Sequence, residues 1–309
     1  MAGKSKIIVW RFVDGKPGHN NQSLGLSRAL GERVPIREYT LVVPTKPHYL
    51  INWLLGRFPD VHALPNPQLI LGAGHATHYP MLRSRKRHGG KIIVLMRPSL
   101  PTKWFDLCIL PEHDHRSDHE TNTLITRGAL NAIQPAPDPC TDQGLFLIGG
   151  PSNHFYWNDD RIIEQITETI RAHDIHWSLT TSRRTPESFL AKIRQRAQQI
   201  PEGLAIFPHQ QTDQCWLPQQ LRECATVSVT ADSVSMIYEA LTAGAHVELL
   251  ELKPKKNDRV ARGIQGLIDD GWVRPHHQTG TIKRPHHPDE FNEAARCARW
   301  IDEQWLQEN

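Results

Sequence analysis

The 309-residue sequence predicts an α/β protein of two doubly wound, Rossmann-like domains. Three observations carry that expectation. Short apolar runs alternate with helix-period segments along the chain, the pattern of parallel sheets covered on both faces. The alternation breaks at "NAIQPAPDPCTDQG", a polar stretch with three prolines, and then restarts. The length is generous for one such unit and comfortable for two.

In the first set, strands are expected at 6–13, 34–43, 67–74, 91–98, 107–114 and 123–129. Helical patterns follow the first ("NQSLGLSRALGE") and the third ("ATHYPMLRSRKRHG"). In the second set, strands are expected at 144–150, 176–182, 203–209, 225–230 and 245–252. Helices alternate with them at 158–173, 186–199, 216–223 and 232–243, and two more near 258–270 and 288–306 finish the chain. The domains are drawn at 1–137 and 138–309, with the last helix returning to the first domain. Strand C-terminal ends carry the ligand-binding loops of such sheets, so the two domains are expected to face each other across a cleft.

Composition narrows the function class. Hydrophobic residues make up 39%, enough for a packed core, and the formal charge of +3 is too mild to indicate a nucleic-acid binder. A weakly basic surface resting on anionic lipid fits the same balance. Five scattered cysteines (Cys108, Cys140, Cys215, Cys224 and Cys297) read as free thiols of a reducing compartment. No signal-peptide pattern opens the sequence and no long apolar run crosses a membrane, so a cytoplasmic protein is expected, soluble or peripheral on a membrane face.

Four loops carry candidate chemistry. "VDGKPGHNNQSLGL" (13–26) lacks both the GxGxxG and P-loop patterns, which argues against a dinucleotide or nucleoside-triphosphate site. Its Gly15 and Gly18 permit a tight strand-to-helix turn, and Gly15, Lys16, Gly18 and Asn21 are the candidate binding residues of this loop. His19 stands at the helix entrance, where an imidazole can take a proton from a hydroxyl or simply pack in the turn. "FLIGGPSNHFYW" ends a strand at Gly149 and Gly150, which lets a phosphate or sugar approach the backbone. In "LTTSRRTP", Arg183 or Arg184 could grip a diphosphate, or the turn could be a solvated charged surface. In "VTADSVSMIYEALTAG", Val234, Ile237, Tyr238 and Leu241 form a core face, and Asp232, Ser235, Glu239 and Thr242 lie opposite. Ser233 and Ser235 at the helix start suit a phosphate, and Glu239 suits the two hydroxyls of a ribose. Asp232 reads as the helix cap.

"VDGKPGHNNQSLGL", "PEHD", "TTSRRTP" and "VTADSVSMIYEA" together resemble the mitochondrial-fission Elm-type family, whose bacterial members are described as glycosyltransferases. The resemblance runs from about Trp10 to about Leu252. That family is similar to the GT-B glycosyltransferases, including the enzyme that adds N-acetylglucosamine to the lipid-linked peptidoglycan precursor. The resemblance implies a GT-B fold, His19 beside the acceptor, Gly149, Gly150 and Ser152 lining the donor diphosphate, and Glu239 on the ribose. Two departures stand out: Lys16-Pro17 interrupts the glycine cluster, and Pro151-Ser152-Asn153 replaces Ser-Gln-Gly.

The expected function is transfer of a sugar from a nucleotide-diphosphate donor to a cell-envelope glycan or lipid-linked acceptor, with no metal and no cofactor. His19 is the expected base, with Asp114 of "LPEHD" behind it. The alternatives are a nucleotide-sugar epimerase and a non-catalytic adaptor of the fission type. "EHDHRSDHE" (112–120), His276–His277 and His286–His287 raise zinc, but their spacing fits no common structural site. "PHYLINWLLGRF" (47–58) reads as a core helix, or as a patch touching a membrane or lipid-linked acceptor.

Overall fold

The computed structural model describes residues 6–43, 61, 63–112, 121–136, 139–200, 203–278 and 291–307. The chain divides into two compact units, Met1–Ala132 with Asn292–Asn309, and Ile133–Phe291. Asp114, His286, His287 and the 47–58 segment lie outside the described residues.

The first unit runs β1 (Ile7–Val13), α1 (Pro17–Arg33), β2 (Ile36–Val42), β3 (Leu69–Ala73), α2 (His75–His88), β4 (Lys91–Leu95), β5 (Leu107–Pro111) and β6 (Thr123–Thr126). Its six strands lie in the order β2-β1-β3-β4-β5-β6, and every neighbouring pair is parallel. The order reverses between β1 and β3, which makes that gap the topological switch point. Alternate residues feed two cores. Val9, Leu69, Leu71 and Ile93 pack under Leu26 and Leu30 of α1, while Trp10, Phe12, Ile70 and Ile92 pack with Met81 of α2. Each fully buried Leu, Ile or Phe contributes about 1.5–3 kcal/mol.

The second unit runs β7 (Cys140–Ile148), α3 (Asp159–Ala172), β8 (His176–Thr181), α4 (Glu187–Ala197), β9 (Ala205–Phe207), α5 (Trp216–Glu223), β10 (Cys224–Thr230), α6 (Val234–Ala243), β11 (His246–Leu250), α7 (Arg259–Asp269) and β12 (Val273–Pro275). The parallel order β12-β11-β10-β7-β8-β9 is the dinucleotide-fold order, with its switch point between β7 and β10. Asn158 caps α3 through Arg161 N–H, and Asp258 caps α7 through Val260 and Ala261 N–H. After these, α8 (Glu293–Ile301) is capped by Asn292. Its Ala294, Cys297, Ala298 and Ile301 sit in the core shared by α1 and β3, and Arg33 pairs with Asp302 at 3.0 Å.

Several element bounds differ from the sequence reading. β7 begins at Cys140, inside the stretch read as linker, and Ala136 N–H donates to Ala243 O at 3.0 Å, which ties that residue to the end of α6. β4 stops at Leu95 because Met96 takes a left-handed conformation, φ 66°. β12 was not expected: three residues are too few to show a period, and pairing with β11 alone defines it.

Candidate functional site

Three loops of the second unit meet at its switch point. The one after β7 begins with Gly149-Gly150, the one after β8 holds Ser182–Pro186, and the one after β10 holds Ala231–Ser233. Thr230 Oγ1 accepts the Gly149 N–H at 2.8 Å, and Asp232 Oδ2 accepts the Gly150 N–H at 3.1 Å. Ser182 Oγ donates to Gly149 O at 2.9 Å. Arg184 ties the three loops together. Its Nη1 donates to Gly150 O at 2.8 Å and Pro151 O at 3.2 Å, and its Nη2 donates to Ser233 Oγ at 3.2 Å and pairs with Asp232 Oδ2 at 2.7 Å. The Asp232 side chain is 0% exposed. A carboxylate taken out of water at several kcal/mol persists there because a guanidinium and an amide hold one oxygen. Its Oδ1 has no hydrogen-bond partner.

The two glycines serve this packing. A Cβ on Gly149 would lie 2.2 Å from Ser233 Oγ and 2.4 Å from Asp232 Oδ2, and one on Gly150 would lie 2.1 Å from the Arg184 carbonyl oxygen. Their lack of a side chain lets the loops approach each other, where the sequence reading had a ligand approaching the backbone.

Asp232 is not the helix cap that the sequence suggested. α6 starts at Val234 with Ser233 as N-cap and no side-chain cap hydrogen bond. Ser233 Oγ and the Asp232 carboxylate turn to Arg184 instead, and the first turn of α6 keeps unpaired amides and the positive end of the helix dipole. Ser235 in the first turn of α6 is exposed, as is Arg183 next to Arg184 in sequence, and Glu239 in the second turn is buried. Ser152 Oγ accepts the backbone N–H of His154 at 3.3 Å and of Phe155 at 3.1 Å, so it shapes its own turn.

A further wall of the loop comes from the segment after β11. Lys255 Nζ donates to Ser152 O at 2.8 Å, Lys255 N–H to His154 O at 2.7 Å, and Tyr156 N–H to Lys253 O at 2.9 Å. His154 Nδ1 meets Asp258 Oδ2 at 2.7 Å, and that hydrogen bond with the α7 amides holds the Asp258 carboxyl below its usual range. The sequence reading missed His154, Lys255 and Asp258. The available signal was "KPKKND" at a strand's C-terminal end.

The first unit's switch point carries a different chemistry. Gly15 takes φ +78°, Lys16 is the N-cap of α1 and Pro17 opens its first turn. Gly18 is exposed and Asn21 partly buried. His19 Nδ1 lies 2.9 Å from Asp14 Oδ2, with side-chain exposures of 20% and 5%. Asp14 Oδ1 also accepts the Lys16 N–H at 3.2 Å, which fixes the carboxylate. The ring rests over Gly74, where a Cβ would come within 2.3 Å of His19 Nδ1. The contact fixes the ring orientation, and in the tautomer that donates from Nδ1 to Asp14 the lone pair is on Nε2. The partner found for His19 is thus Asp14, which the sequence reading missed although it stands five residues upstream in "VDGKPGH".

A partly buried network seats α1. Arg11 donates to Asn20 Oδ1 at 2.6 Å, Glu38 Oε1 at 2.8 Å and Thr40 Oγ1 at 2.9 Å, and Ser27 donates to the other Glu38 oxygen. Burial pushes the Glu38 carboxyl upward, but the hydrogen bonds from Ser27, Arg11 and Thr40 outweigh it and hold the group below its ordinary value.

Among the described residues, no group of three or more His, Cys, Asp or Glu is placed to hold a metal ion. His276 sits between carboxylates, 2.9 Å from Glu168 and 3.4 Å from Glu248, and His277 pairs with Glu251. Among the described residues no helix is long and apolar enough to cross a membrane.

The described architecture has known counterparts. A UDP-GlcNAc 2-epimerase structure from Methanocaldococcus jannaschii aligns with TM-score 0.59 at 11% identity, covering 97% of this chain and 100% of that one. The MurG structure from Acinetobacter baumannii aligns with TM-score 0.48 at 12% identity, covering 96% and 92%. In sequence, an uncharacterised protein of Rickettsia prowazekii (strain Madrid E) is 22% identical over 350 residues, 95% of this chain and 97% of the relative. The fold is therefore of the GT-B class, two Rossmann-like units with parallel six-stranded sheets. The family description "Mitochondrial fission ELM1" matches residues 17–305, and the chain belongs to that family.

Proposed function

We propose that the protein is a glycosyltransferase that uses a nucleotide-diphosphate sugar. The observation that carries this reading is the start of α6 at the second switch point, where Ser233 makes no side-chain cap hydrogen bond and instead meets Arg184. That terminus offers several amide donors and a positive dipole end to a diphosphate. Arg184 is already committed to Asp232 and to the loop carbonyls, so its part is to hold the cradle, and the exposed Arg183 is the arginine assigned to the added charge. Glu239 accepts hydrogen bonds from the ribose diol.

The chemical step moves one proton, forms one bond and breaks another. The acceptor oxygen bonds to the sugar anomeric carbon and its proton passes to a general base, the role for which His19 of the first unit is the candidate. The bond from that carbon to the diphosphate oxygen breaks, and the α6 amides with Arg183 stabilise the departing charge. Asp14 stabilises the imidazolium as it forms.

Calorimetric titration with UDP, GDP, CDP and ADP, with and without chelator, tests the site. Binding of one diphosphate that survives the chelator and is lost in Glu239→Ala is the expected result; no binding by any of them would overturn the site and favour an adaptor. Incubating the matching nucleotide sugar in deuterated water separates the enzyme classes. Deuterium entering the sugar without an acceptor would mark an epimerase, whereas a transferase leaves the sugar carbons unexchanged.

A further inference from the structure

Charge is distributed unevenly along this chain. Residues 61–105 contain seven Lys/Arg and not one Asp or Glu, although the whole chain is only +3, so the rest carries a net excess of acids. The fold concentrates that surplus on one strip of the first unit. α2 buries Thr77, His78, Pro80, Met81 and Ser84, and turns Tyr79, Arg83, Lys86 and Arg87 to solvent at helical spacing. The segment between β4 and β5 lies along the same helix. Ser99 Oγ is 3.4 Å from His78 Nδ1, Phe105 meets the His78 ring at 5.4 Å, and Arg85 reaches Trp104 O and Asp106, each at 3.0 Å. That contact brings exposed Lys103 and Trp104 beside the helix, so two aromatic rings, Tyr79 at 43% and Trp104 at 42% exposure, stand among four exposed cations. Asp106, the first acid after this run in sequence, is paired with Arg85.

We infer that this strip, Tyr79, Arg83, Lys86, Arg87, Lys103 and Trp104, docks the first unit onto an anionic lipid surface. Cations without local counter-charge are attracted to phospholipid headgroups, and amphipathic Trp and Tyr rings settle at the depth where headgroup meets acyl chain. Exposed aromatics beside cations on a helix flank suit a flat surface of that kind. The contact goes beyond the proposed transfer reaction and uses none of its residues.

Co-sedimentation of the full chain with vesicles of phosphatidylcholine, alone or mixed with phosphatidylglycerol, tests it. The wild type is expected to bind only the anionic vesicles and to be released by high salt. Each exposed cation near such a surface is worth about fivefold, so Arg83→Gln/Lys86→Gln/Arg87→Gln should weaken partitioning about a hundredfold. Trp104→Ala should weaken it further, and Arg194→Gln/Arg196→Gln on the second unit should leave it unchanged. All the substituted side chains are exposed, and an unchanged unfolding transition confirms that the variants fold. Wild-type protein left in the supernatant, equal binding to neutral vesicles, or a triple variant that partitions like wild type would each overturn the inference, as would tighter binding to a DNA duplex than to the anionic vesicles. Nucleoside-diphosphate titration of the triple variant keeps the two readings apart, since it should match wild type whichever way the vesicles behave.

Discussion

Asp14 and His19 share a 2.9 Å contact over a glycine that leaves no room for a side chain. If the pair acts as base and orienting carboxylate, Asp14→Asn should lower kcat by about 10²-fold or more with KM nearly unchanged, because the ring loses its fixed tautomer but no substrate contact. Steady-state kinetics with the cognate donor would show it; a change confined to KM would assign Asp14 to binding. In the second unit, Gly150→Ala places a methyl group 2.1 Å from the Arg184 carbonyl, a backbone atom that cannot swing away. Urea unfolding should register about 1–3 kcal/mol of destabilisation. Arg184→Gln strands the buried Asp232 carboxylate and should destabilise the unit, whereas Arg184→Gln/Asp232→Asn should recover part of the loss. A double-mutant cycle with no coupling would mean the pair contributes nothing to stability.

At the scale of elements, two polar networks tie helices to sheet edges and respond oppositely to pH. His276 joins the end of β12 to α3 and β11 through carboxylates, and the hydrogen bond to Glu248, with that to Glu168, raises its pKa from 6.5 against the pull of burial. A group whose folded value is raised contributes stability fully below its ordinary value and loses it as pH rises through the folded value. Stability of the second unit should therefore fall on going from neutral to alkaline solution, and His276→Gln should flatten that slope in urea melts at stepped pH. Glu38 behaves inversely. Its folded value is depressed, so the grip of Arg11 and Ser27 on α1 contributes above the ordinary value of 4.5 and is lost as pH falls through the folded value. None of these partners is local in sequence. Alternation revealed β11 as a strand, but nothing in "HVELL" says that Glu248 would be buried and face a histidine beyond the next strand.

For the molecule as a whole, the final helix belongs to the core of the first unit, where Cys297, Ala298 and Ile301 pack with Leu26 and Leu30. Ending the chain at Phe291 should open that core while the second unit, complete within Ile133–Phe291, keeps its cooperative transition. Hydrogen exchange read unit by unit would locate the loss, and equal destabilisation of both units would contradict it. The strand–helix alternation of both units and the glycine-bearing turns after β1 and β7 were legible from the chain, because these are local patterns that depend on steric and burial rules acting over a few residues. The positions of Gly149, Gly150, Arg184, Ser233 and His19, in the turns that follow strands, could be read from that alternation as well. The chain pattern could not give the closure of Gly150 N–H onto Asp232 across 82 residues, the place of Asp14 behind His19, or the three-residue β12. Those depend on which strand ends become neighbours once the sheet order is set, and sheet order is fixed by long-range pairing and core burial that no short window of sequence contains.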